Sequence, residues 1–336
     1  MLAQLLDSTR YSACGVELNL FSNSKIFNFE QFKKNIHKSS KACGIHRIRN
    51  RINFHRLHSY GLNENELNNM ILAAKDLREF RDNFAARFLA LRGKAEGGIV
   101  YEKTPENINC IFEFTETFRD SYFIHIVRNP LYIYPSMLKR KFPRYISLLS
   151  WFIDVAKYIK YKDHERVLLI RYEELVKNPY KIAKDILRTT ANITDVSEEE
   201  IKTGYMDNPY YKLISPKLKS WNISTFAPVQ DANVARFTDA HLRDMAGLLH
   251  LQIAPAYARQ FDIAQISFMD AIKELGYHQS VMEQLKKFDS AARLPGKSAG
   301  DYVRLILKWE EDLRHGDADL FKLRDYLNPV RSIPDR

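Results

Sequence analysis

The segment that most constrains the fold of this chain is Tyr122-Phe-Ile-His-Ile-Val-Arg128-Asn-Pro-Leu-Tyr-Ile-Tyr-Pro-Ser136-Met-Leu-Lys-Arg140. Phe123, Ile124, Ile126 and Val127 form a short, partly β-branched apolar run, as expected of an interior strand. Pro130 and Pro135 punctuate a turn and suit the start of a helix, where a missing N–H costs little. Arg128 stands at the strand's carboxyl end, and Ser136 and Arg140 share one helical face near the helix N-terminus. Two guanidinium groups and a hydroxyl converging at a helix start make a phosphate site, because dipole, charge and fork-shaped donors all favour an anion. On this motif alone, the other reading is a surface arginine followed by a helix cap.

The rest of the chain is organised as an α/β domain. Residues 64–92 carry Leu67, Ile71, Leu77, Phe84, Phe88 and Leu91 at roughly helical spacing, with Glu, Lys and Arg on the other face. Strands predicted near 98–101, 122–127 and 166–171 alternate with helices near 133–141, 146–162 and 179–190. Strands separated by helices imply right-handed crossovers and a mainly parallel sheet flanked by helices. Ligands bind such sheets beyond the strands' carboxyl ends, which is where Lys103, Arg128 and Tyr172 fall.

Arg128, Ser136 and Arg140 resemble the 3′-phosphate-binding segment of the sulfotransferase superfamily, whose donor is 3′-phosphoadenosine 5′-phosphosulfate (PAPS). In that pattern an Arg ends a strand and a Ser follows on the next helix; the tyrosylprotein branch adds a second Arg one helical turn later. Three further stretches, in the order the family requires, carry the same resemblance. Tyr101-Glu-Lys103-Thr104-Pro105 looks like the superfamily's Lys-Thr/Asp-Pro turn, whose lysine reaches the transferring sulfuryl group. Val167-Leu-Leu-Ile-Arg-Tyr172-Glu-Glu-Leu-Val-Lys-Asn-Pro179 is similar to a segment whose tyrosine lies near the nucleotide. Leu5-Leu6-Asp7 followed by Ala13-Cys14-Gly15-Val16-Glu17 resembles the stretch in which a Gly-x-Glu supplies the catalytic base. Lys217-Leu-Lys219-Ser-Trp221 resembles, more weakly, the late basic segment that covers the nucleotide; ordinary surface lysines are the other reading. Leu275-Gly276-Tyr277 is similar to the place where the family's domain ends.

The resemblance implies a P-loop NTPase-like sulfotransferase fold over residues 1–277, with a helical extension over 278–336 that matches nothing in the family. It implies transfer of a sulfuryl group from PAPS to a hydroxyl. Glu17 would be the base and Lys103 the charge stabiliser, with Arg128, Ser136, Arg140, Tyr172 and Lys219 around the nucleotide and no metal. The family's Ser-Gly-Thr-Thr type 5′-phosphosulfate loop, between first strand and first helix, is missing here, and Gly97-Gly98 leads into a strand rather than out of one. The opening Met1-Leu-Ala-Gln-Leu-Leu-Asp7 reads as the middle of the helix built on that loop, so a truncated or misassigned start is expected. The alternative is a non-catalytic protein of the same fold that binds nucleotide or a partner. The tyrosylprotein branch has an arginine two residues after its catalytic Glu, and Asn19 stands there instead. A carbohydrate or small hydroxylated molecule is therefore at least as good an acceptor as a peptide.

Composition limits the remaining classes. In 336 residues, 45% are hydrophobic and 27% charged, ordinary for a globular protein. No run approaches the about 20 apolar residues that span a bilayer. Cys14, Cys43 and Cys110 are odd in number and widely spaced, so neither a disulfide framework nor a zinc site is expected, and a reducing, cytoplasmic setting fits. His55 and His58 lack nearby carboxylate or Cys partners, so a metal site is not expected there. The net charge of +10 asks for an anionic partner. Much of the excess lies in Lys33 to Arg56, where arginines alternate with apolar residues. A solvated basic face, an acidic acceptor site and nucleic-acid binding all fit that pattern. No known nucleic-acid module accompanies it, and no nucleic-acid partner is expected.

Overall fold

A computed structural model describes residues 1–36, 57, 60–139, 142, 145–207, 237–286, 288 and 299–315. Arg140 and Lys219, and the basic stretch from 37 to 56 with His55, lie outside the described residues, as does His58. In chain order the elements begin with α1 (Leu2–Asp7), β1 (Ser12–Cys14), α2 (Phe29–Ile36), α3 (Glu64–Ala73), α4 (Leu77–Leu91), β2 (Ile99–Tyr101) and α5 (Ile111–Thr117). Next come β3 (Phe123–Val127), α6 (Pro130–Lys139), α7 (Ile146–Tyr161), β4 (Val167–Arg171), α8 (Tyr172–Lys177), α9 (Pro179–Ala191) and α10 (Glu198–Asp207). The chain continues through α11 (Asp239–Ala246), α12 (Pro255–Gln260), α13 (Phe268–Glu274), α14 (His278–Leu285) and α15 (Ala299–Arg314). The fold is α/β, as expected.

The described strands pair two by two, β1 with β2 and β3 with β4. β1 and β2 are parallel, with Ser12, Ala13 and Cys14 opposite Ile99, Val100 and Tyr101. The chain divides into two compact units, one built mainly on Met1–Phe123 and Glu174–Pro228, the other on Ile124–Glu173 and Val229–Arg314.

An aromatic core holds the first unit. Along α4, Leu77, Phe80, Phe84 and Phe88 recur at helical spacing and are all buried. Phe80 stacks on Phe29, and Tyr60 lies 4.5 Å from Phe88 between ring centroids. Residues 64–92 form two helices rather than one. Asp76 accepts the Glu79 N–H at 2.9 Å and caps α4, while Ala74 is extended and ends α3. Leu91, expected on the apolar face, is exposed at the end of α4.

In the second unit α7 is apolar on nearly every side, burying Leu148, Leu149, Trp151, Phe152, Ile153, Val155 and Ala156. A helix of that pattern must be surrounded. Trp151 and Phe152 both pack on Phe268 of α13, and Ala156 accepts the Ala264 N–H at 3.0 Å. On another side of α7 the Lys157 ammonium forms a buried ion pair with Glu310 of α15 and reaches Asp154 at 3.5 Å. Burial would lower the Lys157 pKa, but Glu310 and Asp154 outweigh it and raise it.

Replacing Glu310 with Ala should leave the buried ammonium with only the more distant Asp154 carboxylate and cost about 3 kcal/mol. The paired replacement Lys157→Met with Glu310→Leu should be close to neutral, because it removes both desolvation penalties. Urea unfolding of both variants measures the difference, and equal losses would show that packing rather than charge pairing sets the cost.

Candidate functional site

In the first unit the site grows from the parallel pairing of β1 with β2. Both strands run out on the same side, and the residues beyond their carboxyl ends meet there. Glu17 follows β1 and Lys103 follows β2, and their side chains form an ion pair in which each remains partly exposed. Two of the residues expected to act together are thus in contact.

The turn that delivers Glu17 has a specific cause. A Cβ on Gly15 would fall inside the Tyr60 ring, so glycine is required for lack of space rather than for an unusual backbone angle. The fully buried Tyr60 donates its hydroxyl to the Val16 carbonyl at 2.6 Å. Ring and hydroxyl together fix the chain one residue before Glu17. Beyond it, Asn19 has φ near 59°, a left-handed value that asparagine tolerates better than most residues. Its N–H donates to the Thr104 hydroxyl at 3.1 Å. Cys14 is free and buried, and burial, followed by the nearby Asp7 carboxylate, pushes its thiol pKa upward.

In the second unit β3 ends at Val127 and Arg128 follows at once. Its guanidinium lies 4.8 Å from the centre of the Tyr172 ring, the first residue after β4. Arg128 and Tyr172 are therefore brought together. The Arg128 carbonyl accepts the Trp151 indole N–H at 3.0 Å, which anchors the turn to α7. Among the described residues Arg128 Nε is buried without a partner.

The residues that sequence reasoning missed are the supports. Glu173 accepts the Asn129 N–H at 3.0 Å on one oxygen and the Tyr277 hydroxyl at 2.8 Å on the other. Asn129 caps α6 by accepting the Leu131 N–H at 3.0 Å and donates to Ser280 at 2.9 Å. The Leu275-Gly276-Tyr277 stretch thus closes on the Arg-Tyr-Glu motif. A Cβ on Gly276 would approach the Arg171 guanidinium to 2.6 Å, and Gly276 has φ near 74°. Adjacent Tyr-Glu and Arg-Asn-Pro motifs were the available signal for this knot.

The helix carrying Ser136 starts earlier than expected. Pro130 and the Asn129 cap begin α6, so Pro135 is inside it and Ser136 stands in the helix body rather than near its N-terminus. Pro135 is tolerated there although it removes one helical hydrogen bond. Among the described residues the Ser136 hydroxyl, partly buried, has no hydrogen-bond partner.

Gly15→Ala should destabilise the first unit by about 1–3 kcal/mol through overpacking against Tyr60. Pairing it with Tyr60→Leu should recover part of the loss by freeing the space. Thermal unfolding of the single and double variants checks this.

A family model described as the sulfotransferase family matches residues 1–191. That is more than half of the 336 residues. No curated protein and no solved structure matches the chain.

Proposed function

The chain belongs to the sulfotransferase family, and we propose that it transfers a sulfuryl group from PAPS to a hydroxyl acceptor. The observation that carries this reading is the Glu17–Lys103 pair beyond the carboxyl ends of two parallel strands. A carboxylate within hydrogen-bond reach of an acceptor hydroxyl takes its proton as the oxygen attacks sulfur. An ammonium beside it stabilises charge that develops as the bond to the leaving phosphate breaks. Group transfer of this kind depends on positioning and electrostatics, and lysine and arginine supply both without a metal.

The donor site is proposed at Arg128, Ser136, Arg140, Tyr172 and Lys219. Arg128 fits an anion on two counts: among the described residues its Nε is buried without a partner, and its guanidinium lies over the Tyr172 ring. The unpartnered Ser136 hydroxyl fits as a further donor. PAPS, when bound, supplies the sulfuryl group and a good leaving phosphate. The acceptor is proposed to be a carbohydrate, a small hydroxylated molecule or a peptide. Asn19 weighs against a peptide, because this buried turn residue stands where the tyrosylprotein branch places an arginine. We also propose the division into a 1–277 catalytic domain and a 278–336 helical extension, and a cytoplasmic site of action. Among the described residues no helix is long and apolar enough to cross a membrane.

A second reading is nucleotide binding without catalysis by a protein of the same family. Binding and turnover separate the two. Arg128→Ala should lower affinity for adenosine 3′,5′-bisphosphate by roughly 1.5–3 kcal/mol, the worth of hydrogen bonds to a charged group. Affinity for AMP, which lacks the 3′-phosphate, should barely change. Calorimetry with both nucleotides checks this, and equal affinities for them in the folded protein would overturn the donor assignment.

If the chain turns over, Glu17→Gln should slow it by about 10²–10⁴-fold with little change in nucleotide affinity. That loss should shrink for acceptors with more acidic hydroxyls, which need less help with the proton. Lys103→Ala should instead slow all acceptors alike, since charge on the leaving phosphate develops whatever the nucleophile. A series of acceptors of graded pKa measures both trends. Nucleotide binding with no turnover is the outcome expected of the second reading.

A further inference from the structure

Glu102 stands between Tyr101 and Lys103, and its carboxylate is fully engaged. Oε1 accepts the Leu18 N–H at 3.2 Å and the Thr104 hydroxyl at 2.6 Å, while Oε2 accepts the Asn107 amide at 2.5 Å. A hydroxyl has one proton to give. That of Thr104 goes to Glu102, because its other acceptor, Asn19 Oδ1, is distant at 3.4 Å. Thr104 is then free to accept the Asn19 N–H at 3.1 Å.

The pattern is a two-rung clamp. Glu102 and Thr104 flank Lys103; Leu18 and Asn19 are the two residues after Glu17. Each rung ties a backbone N–H of one turn to a side chain of the other, and Leu18 and Asn19 are both buried, so those donors need acceptors. Past β1 and β2 the ladder has ended, and the described strands offer these N–H groups no partner there. The left-handed bend at Asn19 makes an external restraint the more necessary.

We propose that Glu102 is a positioning residue, which holds the turn bearing Glu17 against the turn bearing Lys103. The inference rests on reading Glu17 and Lys103 as the reacting pair. Glu102 is not itself a second base, since both of its oxygens are occupied by donors. Withdrawal from water pushes its carboxyl pKa above the usual range; the bonds from Thr104, Asn107 and Leu18, with the Lys103 charge, pull against that. Shape rather than charge is what the clamp uses. A glutamine can accept the Leu18 and Thr104 bonds through its oxygen. Its amide can donate to Asn107 Oδ1, now buried without a partner among the described residues, once that side chain turns over.

Trace acetylation of the purified 336-residue protein with acetic anhydride, read at Lys103 by mass spectrometry, tests this without any need for turnover. Glu17→Gln sets the scale, because it removes the anion that shields the ammonium. Lys103 labelling should rise about two- to fivefold, the range expected of a partly exposed ion pair. Glu102→Ala should give a similar rise, Glu102→Gln should stay close to wild type, and Glu102→Ala with Glu17→Gln should rise no further than Glu17→Gln alone. Thr104→Val, which removes the second rung with little change in volume, should raise labelling, and Thr104→Ser should not. This pair decides the matter if Glu102→Ala fails to fold.

Unchanged Lys103 labelling in folded Glu102→Ala or in Thr104→Val would overturn the inference. So would a Glu102→Gln effect as large as that of alanine, or full additivity in the double variant. Turnover that proves indifferent to Glu17 would instead strike the reaction reading, and would leave the labelling result standing.

Discussion

Parallel pairing of β1 with β2 is the constraint on which the rest of the first unit's site depends. Two parallel strands end on the same side, so the turns that leave them emerge next to each other. An antiparallel pair would have sent Glu17 and Lys103 to opposite ends. Because they emerge together, only a few residues separate each strand end from its charged group. Everything else in this region restrains those short turns. Tyr60 fills the space that a side chain on Gly15 would need and holds the Val16 carbonyl; Thr104 holds the bend at Asn19.

The second unit solves the same physical problem with the same device. Its strands β3 and β4 also end on side chains proposed for the site, and past them the described strands offer the backbone no ladder to bond with. Glu173 accepts the Asn129 N–H there as Glu102 accepts the Leu18 N–H in the first unit. Each glutamate is the sequence neighbour of a residue assigned to the site, Tyr172 in one case and Lys103 in the other. A carboxylate suits the task because its two oxygens accept from several directions at once. Glu173 spends its second oxygen on Tyr277 and Glu102 on Asn107, so each turn is tied to a further segment of its own unit.

Much of this was legible in the sequence, for a reason that the structure makes plain. Ile99–Tyr101, Phe123–Val127 and Val167–Arg171 are apolar, partly β-branched runs, and each was recognised as a strand. β1 was not, because Ser12-Ala-Cys14 has no β-branched residue and is too short to show a period. The helix boundary at 74–76 was hidden because apolar spacing continues across it. Only the Asp76 cap marks the break. The start of α6 was misplaced because two prolines compete for the first turn, and the decision falls to Asn129, whose side chain caps the earlier one.

The same contrast separates the parts of the site that a sequence displays from those it conceals. At a strand end the side chain proposed for the site and the side chain that braces the turn are neighbours, so both sit in one short motif. Glu102-Lys103-Thr104 and Tyr172-Glu173 are of this kind. The partners of the braces come from far along the chain. Tyr60 meets Val16, Leu18 meets Glu102, and Tyr277 meets Glu173, each far apart in the sequence. No periodicity or spacing announces such a contact, since it follows from which strand ends the fold brings side by side. The motifs therefore mark the strand ends, while part of what holds those ends in place, Tyr60 and Leu18 among them, belongs to no motif at all.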